Sequence, residues 1–333
     1  MASWWRGQRG DLAKDAIISV VVGVLLLLGA VWWDTKLQAR QDALETAIAD
    51  RQDGLAKAIA DRQDRLAQDL AKQAEVLENT RFVRQIATSA GDTPKPFTSI
   101  NLRGAELGGL VLRCADVRPR LGCADFAKAD LQEANLDSTD LKGANFWGTD
   151  LRKVSLNQTN LSYALAPDAN LDGVIGERVL FDRAWLGEAS LVRARIVDAS
   201  FTNAGLNDVN ALEAILPSAY FSNAHLDRSH FERADLKSAT FSGAVMVRAD
   251  LTSANLRNAS FADTNMTRAN LTSANLRRAR FRDTNMTRID LTSDDVRGAD
   301  FTRADLRTAV LTDVCFDDTT KWGSNTQPAS SSC

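Results

Sequence analysis

The sequence predicts an all-β repeat domain of square cross-section, with four pentads in each 20-residue coil, preceded by a transmembrane helix and a long coiled-coil helix. Three patterns support this prediction: an uncharged stretch, an 11-residue repeat and a 5-residue repeat follow one another along the chain. The predicted segments are a short N-terminal tail (1–15), a transmembrane helix (16–33), a coiled-coil helix (34–90), a linker (91–96), the repeat domain (97–322) and a disordered tail (323–333).

The composition indicates no catalytic chemistry. The 333 residues carry a net charge of -3, with two histidines and four cysteines. No GxSxG, P-loop, GxGxxG or HExxH motif occurs in the chain. His225 and His230 fall at outward positions without further ligands in a known spacing, so they are interpreted as surface side chains. We therefore expect no enzyme activity, no cofactor and no metal site.

The first pattern predicts a membrane anchor. The 18 residues between Asp15 and Asp34 are uncharged, and as a helix they measure roughly 27 Å, close to the thickness of a bilayer core. Tryptophan pairs at residues 4–5 and 32–33 suit the two membrane interfaces. A cleaved signal peptide is the alternative, but no small-x-small cleavage site follows the stretch.

The charges beside this stretch predict its orientation. Arg6, Arg9 and Lys14 precede it, whereas Lys36 and Arg40 are the nearest basic residues after it. Because basic residues are retained in the cytoplasm, the N-terminus is expected there. The prediction is a single-pass protein of the inner membrane with an extracytoplasmic repeat domain.

The second pattern predicts an oligomerising helix. Residues 40–83 repeat with a period of 11, which favours a straight or right-handed bundle. A single helix cannot bury the resulting apolar stripe, so residues 34–90 are expected to form a homo-oligomer; a solitary charged helix held by pairs such as Asp61 and Arg65 is the alternative. The stripe comprises Leu37, Leu44, Ile48, Leu55, Ile59, Leu66, Leu70 and Leu77.

The third pattern predicts the repeat domain. From residue 121 to residue 316, 37 of 40 fifth positions hold Leu, Phe, Met, Ile or Val, the exceptions being Ala166, Gly176 and Ala211. Small residues lie two positions earlier. A period of five fits neither helix nor strand, so the chain must turn once per repeat with two residues facing inward. Earlier centres, from Phe97 to Val117, are out of phase by one residue, which we interpret as a one-residue deletion near residues 118–120.

A phenylalanine ladder gives the length of the coil. Its members recur every 20 residues, so four pentads form one coil and like side chains stack at about 4.8 Å, the interstrand distance. The predicted core ladder is Phe181, Phe201, Phe221, Phe241, Phe261, Phe281 and Phe301.

Stretches such as Ala129-Asp130-Leu131 and Ala254-Asn255-Leu256 resemble the A(D/N)LXX signature of pentapeptide-repeat proteins. The resemblance covers about two-thirds of the chain and implies a right-handed quadrilateral parallel β-helix, but no single function. It also implies that Trp322 covers the last coil. Because the coil from Leu161 to Phe181 contains Pro167 and two small centres, we expect a bulge there.

Two lines of basic residues recur every 20 residues and form the candidate binding strip. Repelling cations at about 4.8 Å favour an anionic ligand: phosphate, an anionic polymer or an acidic protein surface. The alternative is a hydrated surface whose charges are balanced by Asp227, Asp235, Asp250, Asp263, Asp283 and Asp295. The lines are Arg228, Arg248, Arg268 and Arg288, and Lys237, Arg257, Arg277 and Arg297.

The cysteines admit two local pairings, Cys114 with Cys123 and Cys315 with Cys333. Regular coils would place Cys114 and Cys123 on roughly opposite corners, too far apart for a disulfide, although the phase shift between them changes that geometry. An extracytoplasmic domain favours disulfides, and a cytoplasmic one favours free thiols.

The leading functional hypothesis is a non-enzymatic, membrane-anchored interaction protein that presents a rigid β-helix to a protein or polyanionic partner. The alternative comes from the resemblance, because some pentapeptide-repeat proteins mimic DNA and modulate DNA gyrase. Those proteins are acidic, soluble and cytoplasmic, whereas this chain is nearly neutral and carries lines of arginines. Nucleic acid is not expected as a partner.

Overall fold

The computed structural model describes residues 4–88, 95–114, 116–117, 120–121, 123–323, 327–328 and 333. One helix, α1, runs from Trp4 to Ala87, and six short strands follow. Outside these strands, successive coils of the chain pair through isolated parallel bridges of one residue each. The strands are β1 (Lys95–Pro96), β2 (Asp116–Val117), β3 (Arg120–Leu121), β4 (Ala124–Asp125), β5 (Ile175–Glu177) and β6 (Arg195–Val197).

The chain divides into two compact units, Met1–Lys72 and Gln73–Cys333. In the first unit the described apolar side chains of α1 are exposed. Those of the predicted stripe from Leu37 to Leu70 are 48–65% exposed. The uncharged stretch has a mean hydropathy of 2.5, and α1 is the one helix in the described chain that is long and apolar enough to cross a membrane.

The second unit is a parallel β-helix. From Asp125 to Asp290 each outward residue bridges the residue 20 positions further on, as in Asp125 with Asn145 and Asp290 with Val310. Each coil therefore contains four pentads. The residue that follows a bridge is the large inward centre; its amide donates to the next coil, as from Leu131 to the carbonyl oxygen of Asp150 at 2.8 Å.

A tight turn separates successive pentads. In most pentads the third residue after the bridge adopts a left-handed conformation, with φ between 53° and 64° at the non-glycine positions. The amide of the following residue closes the turn by donating to the carbonyl oxygen of the centre, as from Ala134 to Leu131 at 3.0 Å. The two residues after each centre thus form the exposed corner of the square.

The predicted phenylalanine ladder fills one side of the interior. The rings from Phe181 to Phe301 stack at 4.8–4.9 Å with interplanar angles of 1–5°. Inward threonines satisfy their hydroxyls on the neighbouring coil, as Thr264 does by donating to the carbonyl oxygen of Phe241 at 2.8 Å. These buried hydroxyl groups are thus accommodated because a backbone carbonyl oxygen of the adjacent coil accepts their hydrogen bond.

The phase shift is an insertion and not the one-residue deletion that we expected. Before it, bridges join residues 29 apart, as in Lys95 with Ala124, instead of 20. The nine extra residues include β2 and β3, an antiparallel hairpin in which Val117 pairs with Arg120. Val117, which the sequence assigned to a coil, therefore belongs to the hairpin. A deletion of one residue and an insertion of nine leave the same phase in a 5-residue repeat.

The coil from Leu161 to Phe181 contains no bulge, so that expectation was wrong. Its bridges keep the 20-residue spacing, as in Asn160 with Leu180. Gly176 takes a centre position, and a Cβ there would lie 2.7 Å from a methyl group of Val179, which fills the space. Val179 therefore fills the space that a larger side chain at Gly176 would occupy. The strands β5 and β6 pair over three residues here.

Both ends of the β-helix are covered. At the first coil, the end of α1 packs against the core: Val83 is buried, and the ring of Phe82 meets Phe97 edge-on at 5.9 Å. At the last coil, Trp322 stacks on Phe301 at 5.1 Å and continues the ladder. The sequence predicted the tryptophan, but it did not predict that α1 closes the other end. Of the predicted linker, residues 91–94 lie outside the described residues, while Lys95 and Pro96 form β1.

Candidate interaction surface

The two lines of basic residues occupy different corners of the β-helix. The first line follows the centres Leu226, Met246, Met266 and Met286, and the second follows the centres that begin at Leu236. Centres ten residues apart are separated by two of the four sides. The lines therefore lie on diagonally opposite corners and do not form one strip.

In the first line only Arg228 has an ion-pair partner among the described residues. Its guanidinium donates from two nitrogens to Asp208, 20 residues earlier, with both distances 2.6 Å. These bonds lower the pKa of the Asp208 carboxyl. Arg248, Arg268 and Arg288 are exposed and form no ion pair within the described chain.

In the second line Arg297 is paired and the others are not. Arg297 donates to Asp295 at 2.9 and 2.7 Å, which lowers the pKa of that carboxyl. Lys237, Arg257 and Arg277 are exposed, with no ion pair to any described residue. Asp235, which the hydrated-surface alternative assigned to charge balance, instead accepts the side-chain amide of Asn255 at 2.8 Å.

Other expected balancing carboxylates are also engaged elsewhere. Asp227 accepts the backbone amide of Val247 at 3.0 Å, and Asp250 accepts the hydroxyl of Thr252. Asp283 pairs with Arg303 at 2.6 Å. These contacts do not involve the arginine lines.

Three arginines that the sequence reasoning missed extend the second line. Arg278, Arg280 and Arg282 follow Arg277 around one turn and onto the next face, and all are exposed without a described ion pair. We define the basic corner as Arg257, Arg277 and Arg278 at one corner, together with Arg280 on the adjoining face and Arg282 at the far edge of that face. Its sequence signal is the local run RRARFR, which a search for 20-residue periodicity does not detect.

Two acids beside the basic corner already have cationic partners. Asp295 binds Arg297, and Asp300 lies 3.7 Å from the ammonium group of Lys321. The pKa of Asp300 is lowered by hydrogen bonds from Thr302 and by the nearby charges of Lys321 and Arg282, against the opposing effect of burial, which is the largest single contribution. The corner therefore retains an excess of positive charge.

The cysteines form two disulfides, Cys114–Cys123 and Cys315–Cys333. The first closes the base of the β2–β3 hairpin, because the nine-residue insertion brings the two Cα atoms to 4.0 Å. The second ties residue 333 to the last coil. His230 contacts Glu232 at 3.1 Å, and the described residues contain no group of three or more His, Cys, Asp or Glu side chains suited to a metal ion.

Two family models match the chain. One, described as a pentapeptide repeat region, matches residues 234–311. The other, described as pentapeptide repeats in eight copies, matches residues 120–158 and 214–252. Neither describes a catalytic family, and no curated protein matches the chain significantly.

Several solved structures are similar to the chain. HetL from the cyanobacterium Nostoc, described as involved in the regulation of heterocyst differentiation, is 26% identical over 69% of this chain and 94% of its own, with a TM-score of 0.45. A thylakoid-lumen protein of Arabidopsis thaliana is 28% identical over 29% of this chain and 68% of its own, with a TM-score of 0.29. QnrB1, described as a plasmid-mediated fluoroquinolone resistance protein, is 14% identical over 68% of this chain and 92% of its own, with a TM-score of 0.26.

Proposed function

Because this chain belongs to the pentapeptide-repeat family, we propose that it is a non-enzymatic interaction protein, anchored in the membrane, that presents its β-helix to an anionic partner. The observation that carries this proposal is the basic corner. Five exposed arginines lie there without ion pairs in the described chain. The partner is an acidic protein surface or an anionic polymer.

The energetics of the basic corner support an anionic partner. Like charges on adjacent coils lie at about the interstrand distance, where their repulsion is screened only by water and salt. A partner with negative charges relieves this repulsion and adds charge-assisted hydrogen bonds, for which the planar guanidinium group is well suited. The β-helix holds these side chains on a rigid backbone, so binding orders only their ends.

An anchor and an extracytoplasmic β-helix are the second part of the proposal. The uncharged stretch of α1 is exposed, so it lacks protein neighbours that would bury it. All four cysteines are paired in disulfides, which fits an oxidising compartment. Together with the basic residues before the stretch, this favours an N-terminus in the cytoplasm of an inner-membrane protein.

Oligomerisation through α1 is the third part. The stripe from Leu37 to Leu70 remains about half-exposed or more in the single chain. An 11-residue repeat of this kind is buried when equivalent helices associate side by side. Several copies of the β-helix would then be presented together, and their basic corners would bind a multivalent partner more tightly than one copy alone.

The basic corner can be tested by neutralisation. Arg277→Gln, Arg280→Gln and Arg282→Gln together should weaken binding to a sulfated polysaccharide, used as a polyanion probe, and reduce crosslinking to partners in native membranes. The matched control combines Arg152→Gln, Arg193→Gln and Arg233→Gln, which remove the same charge from another corner, where each arginine is ion-paired. We expect at least a tenfold loss of affinity for the first triple variant only. Equal binding by the two triple variants would contradict the proposal.

The DNA-mimic alternative requires a continuous acidic surface on the β-helix. The basic corner carries the opposite charge. Purified full-length chain at micromolar concentration should leave gyrase supercoiling unchanged. Inhibition of supercoiling that persists in the basic-corner triple variant would favour the alternative.

A further inference from the structure

One corner of the β-helix carries a column whose charge reverses at its midpoint. Asp168, Glu188 and Asp208 occupy successive coils, Arg228 lies in the next coil, and Arg248, Arg268 and Arg288 occupy the three after it. We call this column the charge ladder. It includes the first arginine line, but its acidic half was not part of the predicted strip.

The members of the charge ladder share one geometry. Each has the left-handed turn conformation, with φ between 56° and 61°. Each follows the previous one by 20 residues, one coil of the β-helix, so the rungs are about 4.8 Å apart. All seven are exposed except Asp208, which is partly buried where it binds Arg228, and Asp168 accepts a hydrogen bond from the indole of Trp147 at 3.1 Å. The seven side chains leave the same edge of the β-helix.

This order of charges is complementary to itself. When a second copy is rotated by 180° so that its axis runs antiparallel, Arg228 of one copy meets Arg228 of the other. Asp208 then faces Arg248, Glu188 faces Arg268 and Asp168 faces Arg288. Such a two-fold arrangement produces every pairing twice.

We infer that two copies of this chain associate antiparallel through the face bounded by the charge ladder. The central Arg228 does not oppose this contact strongly, because its charge is neutralised by Asp208 within its own chain. The inference goes beyond the proposed function, since this face shares with the basic corner only the edge on which Arg282 lies.

The other corner of the same face shows the same symmetry. There Arg183, Asn203, Asn223, Gly243 and Asp263 occupy successive coils. The rotation that centres one column on Arg228 centres this one on Asn223, in the same coil. Arg183 then faces Asp263 of the second copy. Both columns are self-complementary about the same coil. Together they determine which face of each copy takes part in the antiparallel contact and how the coils of the two copies align.

Trp185 provides an apolar contact in the middle of this face. Its ring is 51% exposed and lies flat against the backbone, because a Cβ at Gly205 would be only 3.0 Å from it and one at Gly187 only 3.3 Å. Beside it is a shallow groove of about 240 Å³ lined by Pro167, Glu188 and Asn207 among others. In the antiparallel pair the ring lies level with Arg268 of the second copy, a favourable cation–π arrangement.

Charge exchange at one rung tests the pairing. The self-association constant of the full-length chain in detergent, measured by sedimentation at low ionic strength, should fall at least tenfold for Glu188→Arg and for Arg268→Glu. The double variant should regain most of the wild-type constant, because the two positions face each other. High salt should dissociate this contact and leave any α1 oligomer intact.

The matched control is Arg178→Glu, an exposed reversal on the diagonally opposite corner, which should leave association unchanged. A second measurement introduces Arg228→Cys, which a short bis-maleimide should crosslink between copies, whereas Ser238→Cys on the opposite corner should not be crosslinked. Failure of the double variant to recover, or equal crosslinking at both cysteines, would overturn the inference. Neither result alters the test of the basic corner.

Discussion

The two repeats in this chain solve the same packing problem differently. The 11-residue repeat of α1 gathers its apolar residues on one stripe, and those from Leu37 to Leu70 are exposed. The 5-residue repeat turns the backbone once per pentad, so the phenylalanines from Phe181 to Phe301 are buried by the chain itself. A repeat whose period matches a straight helix needs a partner, whereas one that closes a coil does not.

The largest expected effect concerns the exposed stripe. Leu55→Asp combined with Leu66→Asp places two charges in the predicted helix interface and should abolish the α1 oligomer in sedimentation experiments at high salt. The melting temperature of the β-helix should not change, because both residues lie in the other unit. The control, Thr46→Asp with Gln68→Asp, adds the same charge on the side of the helix opposite the stripe. An unchanged oligomer in the stripe variant would show that α1 does not associate through these residues.

The next effect concerns the buried ladder. Phe241→Ala should cost about 3–5 kcal/mol, because it removes a fully buried ring stacked on both Phe221 and Phe261. Neighbouring coils should lose protection in hydrogen exchange first, since a repeat protein is stabilised mainly by contacts between adjacent repeats. Tyr220→Ala, at an exposed position one residue from the ladder, should change stability by less than about 0.5 kcal/mol. Equal losses for the two variants would contradict a self-contained core.

An acid inside the β-helix gives a pH-dependent effect. Asp294 occupies a small inward position that holds Ala254 and Ala274 in the two preceding coils. It is fully buried; one carboxyl oxygen accepts the amide of Ala274 at 2.8 Å, and the other has no partner in the described structure. Burial raises the pKa of Asp294 to about 9, so the folded protein holds this carboxyl protonated at neutral pH.

The sign of the dependence follows from proton linkage. The unfolded chain ionises Asp294 near its ordinary pKa of 3.8, whereas the folded chain retains the proton until about pH 9. The free energy of unfolding should therefore fall between these values as pH rises. The free energy of unfolding of Asp294→Asn should equal that of the wild type near pH 4 and should be higher by roughly a few kcal/mol near pH 9. The exposed control, Asp198→Asn, should follow the wild type throughout; parallel curves for all three proteins would refute this account.

The sequence predicted the features that repeat at a fixed spacing, and it missed those that depend on where a residue lies around the coil. Spacing alone predicted the 20-residue coil and the stacking of Phe181 on Phe201. The same spacing did not distinguish a one-residue deletion from the hairpin insertion, because both shift a 5-residue repeat equally. It also treated the arginine lines as one strip, although the four-sided coil separates centres ten residues apart. Arg280 and Arg282 were missed because they do not recur in neighbouring coils.

The covering of the first coil was hidden for a different reason. Val83 is the last residue of the fourth 11-residue repeat, which is the least regular of the four. Its burial depends on where the end of α1 lies relative to Phe97, and no local sequence pattern encodes that position. Two side-chain hydrogen bonds help to fix that position, from Asn79 to the carbonyl oxygen of Asn101 at 2.9 Å and from Arg84 to that of Glu106 at 2.6 Å. The end of one repeat is therefore the cover of the other.

The smallest expected effect tests this cover. Val83→Ala removes two buried methyl groups and should lower the free energy of unfolding by about 1.5 kcal/mol. Glu78→Ala, on the exposed side of the same helix end, should change it by less than about 0.5 kcal/mol. Hydrogen exchange should increase in the coil that contains Phe97 and Leu102 but not near Trp322, because stability is transmitted mainly between neighbouring coils. Uniform loss of protection along the β-helix, or none at all, would mean that α1 does not close the first coil as Trp322 closes the last.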